Sequence, residues 1–143
     1  MTKPAVVVFG NNTFASLAAY CLTHDSRYRV VAFTVDRAFL GDGSHEGLAV
    51  VPFDELARHY PPGEVRLLIP LGYHAINGLR RERYLAAKAS GYEFISYISS
   101  RASTWPDLQV GENCLIDLLR KSAAYFHHYF VAPGHSVGLF RMA

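Results

Sequence analysis

Ala5-Val6-Val7-Val8-Phe9-Gly10-Asn11-Asn12-Thr13 is the stretch on which the fold turns. An unbroken apolar run rich in β-branched residues, without polar alternation, is the signature of a strand covered on both faces. Gly10 ends it, and Asn11, Asn12 and Thr13 are all residues able to cap a helix. From Phe14 to Thr23 the apolar side chains Phe14, Leu17, Ala18, Cys21 and Leu22 then recur at helical spacing. A strand, a glycine turn and a capped helix make the opening of a βαβ unit.

The same alternation continues outward. Arg29–Val35 reads as a second buried strand closed by Asp36, and Ala49-Val50-Val51 as a short third one. Between them the glycine-rich segment from Arg37 to Gly47 is expected to be a loop, long and polar enough to be mobile or to cover a ligand. Phe53–His59 reads as a small helix stopped by Tyr60-Pro61-Pro62-Gly63. Val65–Leu71 is another strand, again ending in a glycine, Gly72. A longer helix is predicted from Ile76 to Ala89, with Leu79, Tyr84, Leu85, Ala86 and Ala89 inward and its arginines outward. Gly91 closes it in the left-handed conformation, and Glu93–Ile98 is the last strand. Strands alternating with helices predict an α/β fold: a small Rossmann-like parallel sheet with helices on both faces, over residues 1–98.

Beyond Ile98 the character changes. Residues 99–107 are loop-like, and Val110-Gly111-Glu112-Asn113-Cys114-Leu115-Ile116 carries one copy of an aliphatic hexapeptide pattern, the start of a β-helical coil within residues 99–116. The period stops there. Residues 117–143 form an atypical tail, helix-compatible from Asp117 to Phe130 and rich in aromatics (Tyr125, Phe126, Tyr129, Phe130).

Composition narrows the function. The chain has 143 residues, half of them hydrophobic and 18% charged, with a formal charge of +2. That suits one folded domain. Lysines and arginines are scattered, and the one concentration, Arg80, Arg81 and Arg83, reads as the solvated face of a helix, so nucleic acid is not expected as a partner. No run approaches the roughly 20 apolar residues of a membrane span, and no secretory signal precedes the first strand. Cys21 and Cys114 stand far apart and read as reduced core thiols. The expectation is a cytoplasmic protein without a membrane partner, a metal site or a tightly bound cofactor.

In an open α/β sheet, ligands bind outside the carboxyl ends of the strands. Three candidates gather there. Gly10, Asn11, Asn12 and Thr13 lead into a helix N-terminus, where backbone N–H groups and the helix dipole favour an anion such as a diphosphate. The turn lacks a complete G-x-G-x-x-G. Asp36, at the end of the second strand, stands where such domains hold a ribose hydroxyl or a base edge. Gly72 and Tyr73, with Asn77 close behind, offer close backbone approach and side chains able to touch a base or sugar. No catalytic residue is assigned.

Together Val7–Thr13, Asp36, Leu71-Gly72-Tyr73, Lys88-Ala89-Ser90-Gly91-Tyr92, Ile98-Ser99-Ser100-Arg101-Ala102, Trp105-Pro106-Asp107 and Val110–Cys114 form an ordered series of landmarks. Over roughly residues 4–116 this series resembles the N-terminal part of bacterial sugar O- and N-acyltransferases related to sialic acid O-acetyltransferases. The resemblance implies a Rossmann-like domain holding a UDP-, dTDP- or GDP-sugar, followed by a left-handed β-helix of hexapeptide repeats. It also implies acetyl-CoA as co-substrate and a histidine on the β-helix as general base. It carries nucleotide contact over to Gly10, Asn11, Asn12, Asp36, Gly72 and Tyr73, and carries over no catalytic histidine. Because the repeat stops after Ile116, the expectation is a truncated or frameshifted relative, incomplete for catalysis. The alternatives are a complete small acetyltransferase using His127, His128 or His135, an NAD-binding sensor or reductase fragment, and a non-catalytic interaction module whose aromatic tail packs on a partner or a second copy.

Overall fold

The computed structural model describes residues 3–70, 77–100, 113–116, 127–130 and 139–141. Strand β1 (Ala5–Phe9) runs into α1 (Thr13–Asp25), β2 (Arg29–Val35), β3 (Ser44–His45) and β4 (Leu48–Pro52). There follow α2 (Leu56–His59), β5 (Arg66–Leu68), α3 (Asn77–Ala89) and β6 (Glu93–Phe94). These strands form a six-stranded sheet in the order β3-β4-β2-β1-β5-β6. Every pairing in it is parallel except the β3–β4 hairpin.

The central strand explains why its sequence is apolar throughout. Val6 and Val8 face one core, with Ala15, Ala18 and Leu22 of α1 and Phe33 of β2. Val7 and Phe9 face the other, with Leu56 of α2, Leu67 and Ile69 around β5, and Tyr84 and Ala87 of α3. Helices therefore cover both faces, as the unalternating run predicts. Leu22, Phe33, Leu68 and Ile69 are wholly removed from water, each worth about 1.5–3 kcal/mol of burial. In β2 the register slips by one residue beside Val6 and Val7, and the bulge lets the consecutive Val31 and Ala32 face the same core.

Helix ends follow local chemistry. Asn12 caps α1, its Oδ1 accepting the Ala15 N–H at 2.9 Å. Gly91 (φ +96°) ends α3. Its N–H donates to Lys88 O and that of Tyr92 to Ala87 O, the paired bonds that satisfy the last carbonyls of a helix closed by a left-handed residue.

Four expectations are corrected. The polar segment 37–47 is not an open loop: it holds a 3-10 turn (Arg37–Phe39) and strand β3, which folds back on β4. Gly41, Gly43 and Gly47, all at positive φ, supply its bends. On α3 the buried face is Tyr84 and Ala87, whereas Leu85 is 46% exposed and Ala86 and Ala89 face water. Glu93–Ile98 is two strands: β6 joins the main sheet, and β7 (Tyr97–Ile98) begins a second one. In that sheet, of order β10-β9-β8-β7, β8 (Cys114–Ile116) pairs parallel with β7 and antiparallel with β9 (His127–Phe130). Residues 127–130 are thus strand, not helix, because β8 on one side and a later strand on the other offer their backbone a ladder. β9 pairs antiparallel in turn with β10 (Leu139–Arg141). Residues 117–126 and 131–138, with Tyr125, Phe126 and His135, lie outside the described residues.

Candidate functional site

From β1 the chain moves to one side, through β2 and β4, then returns across to β5 and β6. The strand order reverses between β1 and β5, and the crevice above their carboxyl ends is where open α/β sheets take ligands. Near it stand Gly10–Thr13, which follow β1, and Asp36, which follows β2.

Gly10 sits at φ +123° and its N–H donates to Thr34 O at 2.8 Å, prolonging the ladder by one bond. A Cβ on Gly10 would stand 3.1 Å from that of Ala15. The glycine thus allows both the backbone angle and the close seating of α1 on β1. Asn11 reaches toward the turn after β2, its Nδ2 donating to Phe39 O at 2.8 Å. The turn after β1 and the turn after β2 are in this way tied into one unit. Asn12 spends its side chain on the cap, so the Ala15 amide is occupied. The Thr13 and Phe14 N–H groups, in the first turn, have no acceptor within the helix. Thr13 is exposed.

Asp36 does not stand alone at the end of β2. Arg83, from α3, grips it with two bonds, Nε to Oδ1 at 2.7 Å and a terminal nitrogen to Oδ2 at 2.8 Å. Both side chains are about a quarter exposed. Those hydrogen bonds to Asp36 raise the Arg83 guanidinium above its ordinary value, against the desolvation that burial imposes. The guanidinium also lies over the Phe53 ring at 5.9 Å, and Phe53 meets Phe9 edge-on at 5.6 Å. The Phe53 ring, itself braced by Phe9, thus backs the guanidinium. Each carboxylate oxygen accepts one bond from Arg83 and retains a second lone pair for a ligand hydroxyl.

Arg83 was hidden in the sequence by the reading of all three arginines as solvated. A signal exists: it stands four residues before Ala87 and beside Tyr84, on the edge of the buried stripe. Arg81, by contrast, is exposed as expected. Phe39 was missed as well. It ends the turn that follows Asp36 and is 67% exposed. Gly72 and Tyr73 lie outside the described residues, and Asn77 is the first residue of α3.

A second polar cluster lies between α1 and the hairpin. Ser16 Oγ is 2.7 Å from His45 Nε2 and 3.1 Å from Glu46 Oε1, and the His45 ring packs edge-on against Phe33 at 4.8 Å. The serine lies between the two other groups, rather than the histidine between serine and carboxylate, so this is not a nucleophile relay. It is a clasp holding the hairpin on α1. Among the described residues no group of three His, Cys, Asp or Glu side chains could hold a metal, and no helix is long and apolar enough to cross a membrane.

Comparison with known proteins adds the fold. No protein-family model matches the sequence, and no curated protein matches it. Among solved structures, that of RSP in complex with β-NAD+ and operator DNA matches with a TM-score of 0.50 and 10% sequence identity. The match covers 80% of this chain and 49% of that one. At such identity the likeness is one of architecture, and it agrees with a Rossmann-like α/β sheet. The chain spans about half the length of the structure it matches.

This overturns one expectation. Scattered charge is no ground for excluding nucleic acid, since a chain with this architecture is solved on operator DNA. A count of lysines and arginines describes a whole sequence, whereas DNA contact is made by local groups and by other parts of a longer chain.

Proposed function

We propose that this chain binds a nucleotide-linked small molecule in the crevice above β1, β2 and β5, the sugar nucleotide of an acyltransferase. One observation carries the reading. The glycine turn at the helix N-terminus and an acidic residue at the end of β2 are joined by the Asn11–Phe39 bond into a single unit. The turn suits the diphosphate, with Thr13 and Phe14 amides and the helix dipole facing it. Asp36, fixed by Arg83, suits the ribose hydroxyls, and a carboxylate so held is presented without further ordering cost.

The acyl-transfer part of the reading rests on the ordered landmarks in the sequence. On it, acetyl-CoA would be co-substrate and the ligand a UDP-, dTDP- or GDP-sugar, in the cytoplasm. No residue among those described is assigned to the transfer step. The Rossmann-like sheet serves binding and orientation, which is how such a domain raises the effective concentration of an acceptor.

A second reading, NAD, is favoured by Asp36 at the end of β2 together with the architecture shared with an NAD-bound structure. Against it stands Asn12, where the dinucleotide fingerprint needs its second glycine for close approach of the pyrophosphate. Ala15 fills the third position with a small residue, so only the middle one departs. Calorimetric titration with UDP, dTDP, GDP and NAD in parallel separates the two. Binding of a nucleoside diphosphate but not NAD is the expected result, weakened by Asp36→Ala. Binding of NAD alone would replace the first reading by the second.

A further inference from the structure

We infer that Phe39 is the platform on which the nucleobase stacks, an inference that rests on the proposed nucleotide reading. Among the described residues it is the most exposed large hydrophobic side chain, at 67%. Its exposure is not that of a loose loop. Its N–H donates to Asp36 O at 2.8 Å, its carbonyl accepts from Asn11 Nδ2 at 2.8 Å, and the following Leu40 packs against the core. The backbone is thus fastened on both sides while the ring is held in water.

The other exposed aromatic, Tyr20 at 64%, differs: its ring lies against His24 at 4.3 Å. Phe39 has no such ring partner among the described residues. Presenting an apolar ring to solvent from a fastened backbone forgoes the gain of burying it, unless a ligand covers it.

Position gives the chemistry. One 3-10 turn separates Asp36 from Phe39. A nucleoside carries its sugar hydroxyls and the face of its base in the same sequence, hydroxyls for a carboxylate and a flat π-face for a ring. Arg37, between them, points its charge elsewhere, toward Asp54 and Glu55. Stacking on an aromatic ring is tolerant of base identity, because every base has a π-face. The platform therefore adds affinity for nucleotides as a class, and choice among bases falls to other residues.

The test is calorimetry with UDP and GDP on the wild-type chain, Phe39→Ala and Phe39→Tyr, with circular dichroism to confirm that all three are folded. Phe39→Ala should weaken both nucleotides by about five- to hundredfold, and Phe39→Tyr should restore wild-type affinity. A wild type that binds neither nucleotide sinks the nucleotide reading and this inference together. Wild-type binding left within twofold by Phe39→Ala overturns the platform alone and leaves the nucleotide reading standing. Sedimentation showing a dimer that Phe39→Ala dissolves, with nucleotide affinity unchanged, would reassign the ring to self-association and likewise overturn it.

Discussion

Removing one carboxamide, that of Asn113, should cost a large part of the stability of this chain. Asn113 is fully buried, lies far along the sequence from the sheet it serves, and sits at φ +56°. Its Oδ1 accepts the Ile69 N–H at 2.7 Å, and its own N–H donates to Ile95 O at 3.0 Å. It thereby bridges the ends of β5 and β6. In Asn113→Ala the Ile69 N–H loses its acceptor in a dry site, which costs about 1–3 kcal/mol. Alanine also tolerates the left-handed conformation less well than asparagine, adding about 1 kcal/mol. The sum is about 2–4 kcal/mol, against a total of about 5–15 kcal/mol for an ordinary domain. With a urea dependence of about 2 kcal/mol per molar, the middle of the usual range, the unfolding midpoint should fall by about 1–2 M. Asn113→Gly separates the two contributions: it relieves the backbone but still orphans Ile69, so it should lie about 1 kcal/mol above Asn113→Ala. An Asn113→Ala unfolding free energy within about 0.5 kcal/mol of wild type would refute the reasoning, since no buried amide can lose its acceptor so cheaply.

Three further outcomes are expected. A double-mutant cycle of Asp36→Ala and Arg83→Ala should give a coupling of about 1–2 kcal/mol in urea unfolding, between the values typical of exposed and buried pairs, because both partners are about a quarter exposed; a coupling under about 0.3 kcal/mol would show the bidentate contact to be idle. Gly10→Ala should lose about 1–3 kcal/mol, since its φ of +123° is hostile to a Cβ that would also press on Ala15, and an unmoved urea midpoint would mean that the turn relaxes freely. Tyr97 is buried and donates to Asp25 Oδ2 at 2.7 Å, and burial first, then that bond, raises its phenol above the ordinary value. The unfolded phenol loses its proton near pH 10 while the folded one keeps it, so stability is complete below about pH 10 and declines above it by up to about 1.4 kcal/mol per pH unit. Tyr92, raised by its own burial, adds to that decline; Tyr97→Phe should make it shallower across urea midpoints at pH 9, 10 and 11, and an identical slope would contradict the assignment.

Much of the architecture was legible because β1 is dictated by local chemistry. A continuous Val-rich run has only one place in such a fold, the doubly covered centre, and Val6 to Phe9 divide between two cores as that demands. Asn12 as cap and Gly91 as helix terminator were equally readable, each requiring only its own neighbours. What the sequence concealed depends on long-range partners. Asp36 was a candidate for a ligand, but nothing local announces that Arg83, 47 residues away, holds it. Asn113 looked like one position of a hexapeptide pattern, and its role as a bridge between β5 and β6 exists only once the chain has folded. The hairpin of Ser44–His45 is a similar case. Its three glycines look like looseness until Ser16 closes on His45 and Glu46. Tyr129 and Phe130 satisfied a helical spacing, yet β8 was available as a ladder partner and pairing prevailed.

The outer strands of the main sheet have a bearing on how the protein behaves when concentrated. β3 and β6 are each two residues long, and β6 places an exposed carboxylate, Glu93, at its rim. A second copy seeking to extend the sheet would find almost no ladder to copy, and on the β6 side it would meet the Arg66–Glu93 pair at 3.6 Å. Brief edge strands, and on the β6 side a charged one, are how β-rich chains resist fusing edge to edge, so the parallel core can be built of valine and leucine without inviting fibres.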